Sequence, residues 1–216
     1  MDLASVACAR ALPVRPGDAV LDMCAAPGGK TLVLAQQLGP RGALVANESS
    51  SRRRARLRAV VDSYLPAAQA ARVHVTGYPG TVFGRARPGM FDAVLVDAPC
   101  TGDRHLLAQA RELASWTPAR PKAASDRQLK LLQSAVHAVR PGGHVLYATC
   151  SVWPQENDDV IAQLLSRSAK KGWRVDPVPL AAPLGEATVH GWHILPDVCG
   201  GLGPMYFSLL TRRTGS

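Results

Sequence analysis

Aromatic residues make up only 5% of this 216-residue chain, so any core must be built mainly from alanine, valine and leucine. Cysteine is also sparse. The five present, Cys8, Cys24, Cys100, Cys150 and Cys199, are odd in number and widely spaced. That spacing fits neither a disulfide framework nor a C-x-x-C zinc site, so no metal is expected and a reducing, intracellular compartment suits the thiols. No apolar run approaches the roughly 20 residues that cross a bilayer, so no membrane association is expected. The opening MDLASVACARAL lacks the basic-then-apolar layout of a secretory signal, and Asp2 argues against a transit peptide. There is no internal repeat and no low-complexity linker. Acids are the minority charge: 25 Lys and Arg face 16 Asp and Glu, a net +9. Such a balance favours a polyanionic partner, most simply nucleic acid.

What is present is a series of short apolar runs broken by turn residues. The run Ala19-Val20-Leu21-Asp22 passes through Met23-Cys24-Ala25-Ala26 into Pro27-Gly28-Gly29-Lys30, and a helical pattern follows over Thr31–Leu38. A strand ending in a glycine-rich bend that opens a helix is a cradle for nucleotide-like ligands. The glycines admit close backbone approach, and the helix start offers unpaired N–H groups. Dinucleotides, nucleoside triphosphates and S-adenosylmethionine all use that device. The absence of G-x-G-x-x-G disfavours a nicotinamide-dependent oxidoreductase.

The remaining pattern predicts a helix over Leu3–Leu12 capped by Asp2, a strand over Ala43–Ala46, a basic helix over Arg52–Tyr64 and a strand over Arg72–Thr76. A fourth strand, Phe91–Val96, leads to a polar, basic, helix-poor stretch, Thr101–Pro121. An amphipathic helix over Ala124–Val139 then meets the turn Arg140-Pro141-Gly142-Gly143 and a fifth strand, His144–Ala148. Strands alternating with helices predict an α/β fold with a mostly parallel sheet. Trp192–Leu195 and Met205–Leu210, joined by a glycine-rich loop, read as a C-terminal antiparallel hairpin, the shape of a methyltransferase-type sheet.

Ligands of open parallel sheets gather at the carboxyl ends of the strands. Those ends carry the glycine turn, Glu48, Tyr78-Pro79-Gly80, Asp97-Ala98-Pro99-Cys100 and Thr149-Cys150-Ser151. Glu48 follows the glycine turn by roughly 20 residues, the spacing of a ribose-binding acid. A cysteine commonly serves as a small buried hydrophobe. Two of them, each directly after a strand, are instead placed for nucleophilic work if neighbouring charge lowers their pKa.

CAAPGGK, then DAPC, then PGGHVLYATCS followed by P-Q-E-N, resembles the Sun-domain family of RNA cytosine-5 methyltransferases across essentially the whole chain. Asn47-Glu48, the run from Cys100 to His105 and the closing GPMYF are most similar to the mitochondrial ribosomal-RNA branch. The resemblance implies a Rossmann-like S-adenosylmethionine-dependent fold in one catalytic domain over residues 1–216. Most family members carry an RNA-binding region before that core, whereas the mitochondrial branch lacks it, so no separate RNA-binding domain is expected. It implies that Cys150 attacks carbon 6 of cytosine and that Cys100 assists release of the methylated base. Cys24, Ala25, Ala26, Pro27, Gly28, Gly29, Lys30, Glu48, Arg53, Gly80 and Asp97 are the implied cofactor-binding positions. Asp97 would bond the cytosine edge or lie near the methionine part of the cofactor. Of the other helix arginines, Arg52, Arg54, Arg56 and Arg58 read as solvated or loosely attracted to phosphate. Arg104, His105, Arg111, Arg120 and Lys122 would line the entry for RNA.

The family's branch further implies a mitochondrial setting, ribosomal RNA as substrate and a helical-repeat RNA-binding partner protein. One departure stands out. Family members usually carry Asp-Gly after the third strand, the acid reading the adenine amino group; here Pro79-Gly80 stands there. A lost hydrogen bond of that kind costs about 1–3 kcal/mol if the group stays buried and unpaired. Pro79 and the expected lack of a front RNA-binding region together motivate the competing reading, a catalytically weak or inactive RNA-binding ribosome-assembly factor that keeps the fold.

Overall fold

The computed structural model describes residues 2–101, 119–171 and 173–213. Each apolar run becomes a strand. In chain order they are β1 (Ala19–Asp22), β2 (Ala43–Asn47), β3 (Val73–Thr76), β4 (Phe91–Asp97), β5 (Val139–Thr149), β6 (Val175–Val178), β7 (Glu186–Ala187), β8 (Trp192–Ile194) and β9 (Met205–Arg212). They form one sheet in the order β3-β2-β1-β4-β5-β9-β8-β7, with β6 also pairing β9. β1 to β5 pair with one another in parallel, and β9 runs antiparallel to β5, β6 and β8. The expected α/β architecture, with its antiparallel C-terminal hairpin, is thus observed.

Helices cover both faces: α1 (Leu3–Arg10), α2 (Gly29–Gln37), α3 (Ser51–Tyr64), α4 (Ala67–Ala70), α5 (Phe83–Ala86), α6 (Ala119–Ala138) and α7 (Asp158–Lys171). Successive residues of one strand therefore enter different cores. Val20, Ala93, Leu95 and Phe207 pack on the side that includes Leu34, Leu38 and Leu57. Leu21, Val94, Val96 and Tyr206 pack against Leu132, Val136 and Ile161 on the other. Burial on both faces is why these strands read as continuous apolar runs rather than alternating ones. Among the described residues no helix is long and apolar enough to cross a membrane.

Several boundaries differ from the sequence expectation. α6 begins at Ala119, so residues 119–121 of the stretch expected to be helix-poor are helical; the rest of that stretch, residues 102–118, lies outside the described residues. Arg140-Pro141-Gly142-Gly143 is an excursion within β5 rather than a turn before it. Phe91 pairs with Val139 and Ala93 with His144, so the extra residues bulge from the ladder. Gly143 is required there, since a Cβ would meet the Asp92 carbonyl oxygen at 2.6 Å. α7, β6 and β7 were not anticipated. β6 is four residues long and contains Pro177, and β7 has two residues, too little pattern for a period to register.

The chain reverses sheet direction between β1 and β4: β2 and β3 extend one way, β5 and β9 the other. That switch point opens a crevice at the carboxyl edge, bounded by the loops after β1 and β4.

Candidate active site

The loop after β1 is held by its neighbours' backbones. Met23 N–H donates to the Leu95 carbonyl at 2.9 Å, and Ala25 N–H to the Asn47 carbonyl at 2.8 Å. Gly28 caps α2 with φ of 117°, a backbone conformation costly to any residue with a Cβ. A Cβ there would also stand 2.9 Å from Val60 Cγ1 on α3. α2 begins at the next residue, turning its free N–H groups toward the loop.

A cavity of about 180 Å³ opens beside this turn, lined by Asp22, Ala25, Pro27, Gly29, Lys30 and Asp97, with Asp2 and Ser5 from the N-terminal segment. Lys30 is buried, and its Nζ lies 2.8 Å from Asp97 Oδ2. Burial is the largest single influence and opposes its charge, but Asp97, Cys8 and Asp22 together outweigh it and lift the lysine above its ordinary pKa. Asp22 is fully enclosed. Burial pushes its carboxyl up to about 7, against the hydrogen bond that Thr31 Oγ1 donates to Oδ2 at 2.7 Å. Its Oδ1 has no hydrogen-bond partner among the described residues, the kind of orphan a ligand donor would satisfy. The Cys24 thiol is raised by burial and neighbouring carboxylates, and the enclosed Cys8 thiol by burial to about 12. Neither is suited to nucleophilic work at neutral pH.

At the end of β2, buried Glu48 accepts from Ser50 N–H at 2.8 Å through Oε1, and Arg53 Nη1 stands 3.3 Å from Oε2. Arg53 Nη2 also donates to the Ala26 carbonyl at 2.8 Å, tying the glycine turn to the β2 end. Arg54, expected to be solvated, is instead spent on the chain: its Nη1 donates to the carbonyls of Glu48 at 2.8 Å and Ser49 at 3.2 Å. Arg52, Arg56 and Arg58 are exposed, as expected. Asn47, which the sequence marks only as a motif residue, has a structural role there. Its Nδ2 donates to the Met23 and Tyr78 carbonyls at 3.0 and 2.9 Å, and its Oδ1 accepts from Thr76 Oγ1 and Tyr78 N–H, each at 2.9 Å. One side chain thereby joins three strand ends. Gly80 is buried where a Cβ would meet Leu131 Cδ2 at 2.6 Å and Met23 Cγ at 3.0 Å, so packing against α6 demands a glycine there. Pro79 opens the short 3₁₀ turn Gly80–Val82.

The two strand-end thiols meet. β4 and β5 pair as far as Asp97 and Ala148, and Ala98 N–H donates to the Ala148 carbonyl at 2.8 Å. Beyond this, the Cys100 and Cys150 sulfurs lie 2.8 Å apart. Around them runs a polar network from the P-Q-E-N segment. Glu156 is fully buried; Oε2 accepts from Thr101 N–H at 3.0 Å and Gln128 Nε2 at 2.7 Å. Oε1 accepts from Ser151 Oγ at 3.0 Å and from the Thr101 hydroxyl. Asn157 accepts from Thr149 Oγ1 at 2.6 Å and donates to the Ser151 carbonyl at 2.9 Å. His193, on β8, brings Nε2 to 3.4 Å from the same carbonyl. The P-Q-E-N motif was visible in the sequence; Gln128, 28 positions before Glu156 and on α6, left no signal. Of the residues expected to line an RNA entry, Arg104, His105 and Arg111 lie outside the described residues. Arg120 falls in the first turn of α6, and Lys122 is exposed on it.

The whole chain resembles known proteins. A family model described as 16S rRNA methyltransferase RsmB/F matches residues 9–210. The chain is 37% identical to the bovine 5-cytosine rRNA methyltransferase NSUN4, over 99% of its own length and 59% of that protein. It is 40% identical to the mouse mitochondrial tRNA (cytosine(34)-C(5))-methyltransferase, over 98% of its length and 63% of that protein. The chain thus spans less than two thirds of these relatives. The crystal structure of PH0851 superposes with a TM-score of 0.82 at 26% identity, covering 98% of this chain and 46% of that one.

Proposed function

This chain belongs to the 16S rRNA methyltransferase RsmB/F family, and on that premise we propose that it methylates carbon 5 of cytosine in RNA, with S-adenosylmethionine as methyl donor. The observation that carries this reading is the meeting of Cys100 and Cys150, 2.8 Å apart at adjoining strand ends, with Asp97, the last residue of the strand before Cys100, lining the glycine-turn cavity.

The cavity's chemistry suits the donor. An orphaned carboxylate oxygen on Asp22 and the Lys30–Asp97 pair offer partners to an amino acid's ammonium and carboxylate groups. Gly28 and Gly29 supply backbone N–H groups, and Glu48 supplies a buried carboxylate for ribose hydroxyls. Cys24, Ala25, Ala26 and Pro27 would form the wall between them, braced by Arg53, with Gly80 on the adenine side. When bound, S-adenosylmethionine supplies an electrophilic methyl group. The chain's own task is to make carbon 5 nucleophilic. The Cys150 thiolate adds to carbon 6, forming a C–S bond and shifting the C5=C6 electron pair toward carbon 5. After carbon 5 is methylated, Cys100, as thiolate, accepts the carbon-5 proton. That electron pair restores C5=C6, the C–S bond breaks, and Cys150 leaves as thiolate.

Ribosomal RNA as the target extends to this chain what the bovine relative's name says of that protein, and a mitochondrial setting what the mouse relative's name says of its own. A net charge of +9 supports direct RNA contact, and a helical-repeat RNA-binding protein would extend that grip. The test is transfer of labelled methyl groups to an rRNA fragment. Cys150→Ala should abolish transfer while leaving donor binding intact, and Cys100→Ala should accumulate an RNA–protein adduct that survives denaturant. Full activity in Cys150→Ala would sink the assignment. Bisulfite sequencing of cellular RNA with and without the protein names the target.

A further inference from the structure

Glu156 is a fully buried carboxylate that no chemical step above employs. An enclosed carboxylate is costly unless several donors satisfy it, so its partners indicate what the site is built to hold. Those partners come from both cysteine loops. Thr101, directly after Cys100, gives its N–H and its hydroxyl; Ser151, directly after Cys150, gives its hydroxyl. Gln128 completes the set from α6, and the same Nε2 reaches the Pro99 carbonyl at 3.1 Å, on the other side of Cys100. The carboxylate is itself anchored, because the Tyr147 hydroxyl, inside β5, donates to the Glu156 carbonyl at 2.6 Å. Cys100 and Cys150 are fifty residues apart in the chain. Beyond the last β4–β5 pair, their loops share this carboxylate as a common acceptor.

We propose that Glu156 is a positioning residue that sets the separation of the Cys100 and Cys150 thiols, an inference that rests on the two-thiol reading above. Two groups that act in turn on one base must be held to a fraction of an ångström, since a displacement near 1 Å costs about a hundredfold in rate. A carboxylate suits this task better than an amide. All its lone pairs accept, and charge-assisted hydrogen bonds are about twice as strong as neutral ones.

The separation is measurable without RNA or methyl donor, using 5,5′-dithiobis(2-nitrobenzoate). One thiolate attacks the reagent's S–S bond, releasing one arylthiolate and leaving a mixed disulfide. The second thiolate attacks that disulfide, releasing a second arylthiolate as the Cys100–Cys150 bond forms. Both protons go to buffer, and the two electrons reduce the reagent. Peptide mass spectrometry identifies the linked pair, and the delay between first attack and ring closure reports the spacing. Glu156→Gln should slow ring closure by about tenfold or more, with methyl-donor affinity kept within about twofold. Thr101→Val and Ser151→Ala each remove one arm and should slow closure by about threefold, which keeps the test available if Glu156→Gln does not fold. Unchanged closure in all variants that fold overturns the proposal. So does a variant that merely melts earlier while closing its ring at the parent's rate. Slowed closure in a protein that methylates no RNA supports the positioning role and refutes the methylation reading instead.

Discussion

Replacing Asp22 by asparagine should make the ligand-free protein more stable at neutral pH, and the gain should depend on pH in a defined direction. Asp22 sits at the end of β1 with no exposed surface to speak of, and burial raises its carboxyl from 3.8 to about 7. Below about pH 4 the group is protonated in the folded and unfolded chain alike and contributes no difference. Between about pH 4 and 7 the unfolded chain releases the proton while the folded chain keeps it, so stability falls as pH rises. A shift of about 3 units at 1.36 kcal/mol each sets a ceiling of about 4 kcal/mol, reached above pH 7. The asparagine amide has no such proton to release. Relative to the parent, the variant should gain about 2–4 kcal/mol between pH 4 and 8, or roughly 5–10 °C in melting temperature for a chain of this size. Thermal melts of both proteins across that range read the difference directly. The amide should also weaken S-adenosylmethionine binding about tenfold, since the cavity loses its carboxylate. Parallel stability curves from pH 4 to 8 would refute the reasoning.

Gly28→Ala places a Cβ at φ of 117° and 2.9 Å from Val60 Cγ1. Strain and overpacking together should cost about 2–5 kcal/mol, read by denaturant unfolding; a loss under about 1 kcal/mol would show that the turn relaxes freely. Asn47→Ala removes the tie among the ends of β1, β2 and β3, and should cost about 2–4 kcal/mol with faster amide exchange at Ala25 and Tyr78. Exchange unchanged at both amides would show that backbone pairing alone holds those ends.

The parallel strands were legible because each is a short apolar run with turn residues at its ends, a pattern that needs no knowledge of distant segments. Gly28 announced the cradle, and Glu48 was correctly read as a strand-end acid. An arginine in an arginine-rich helix looks solvated, and only the fold brings the Glu48 and Ser49 carbonyls to Arg54. The β5 excursion looks like a turn in the sequence because Pro141-Gly142-Gly143 has turn chemistry, but strand pairing both precedes and follows it. The bonding roles of Asn47 and Gln128 are hidden in the sequence for a common reason: a polar side chain has no periodicity, and its worth depends on which backbone groups the fold leaves open beside it.

Local pattern was therefore enough for the α/β plan, the glycine turn and the candidacy of two strand-end cysteines. Hydrophobic runs, turn residues and capping act over a few residues, and that range is readable along the chain. Contact between Cys100 and Cys150, the single carboxylate serving both their loops and the raised pKa of Asp22 depend on groups brought together across the sheet. Distance and burial in three dimensions set hydrogen bonding and desolvation, so a residue's type names its chemistry, while its enclosure decides whether and how strongly that chemistry is expressed.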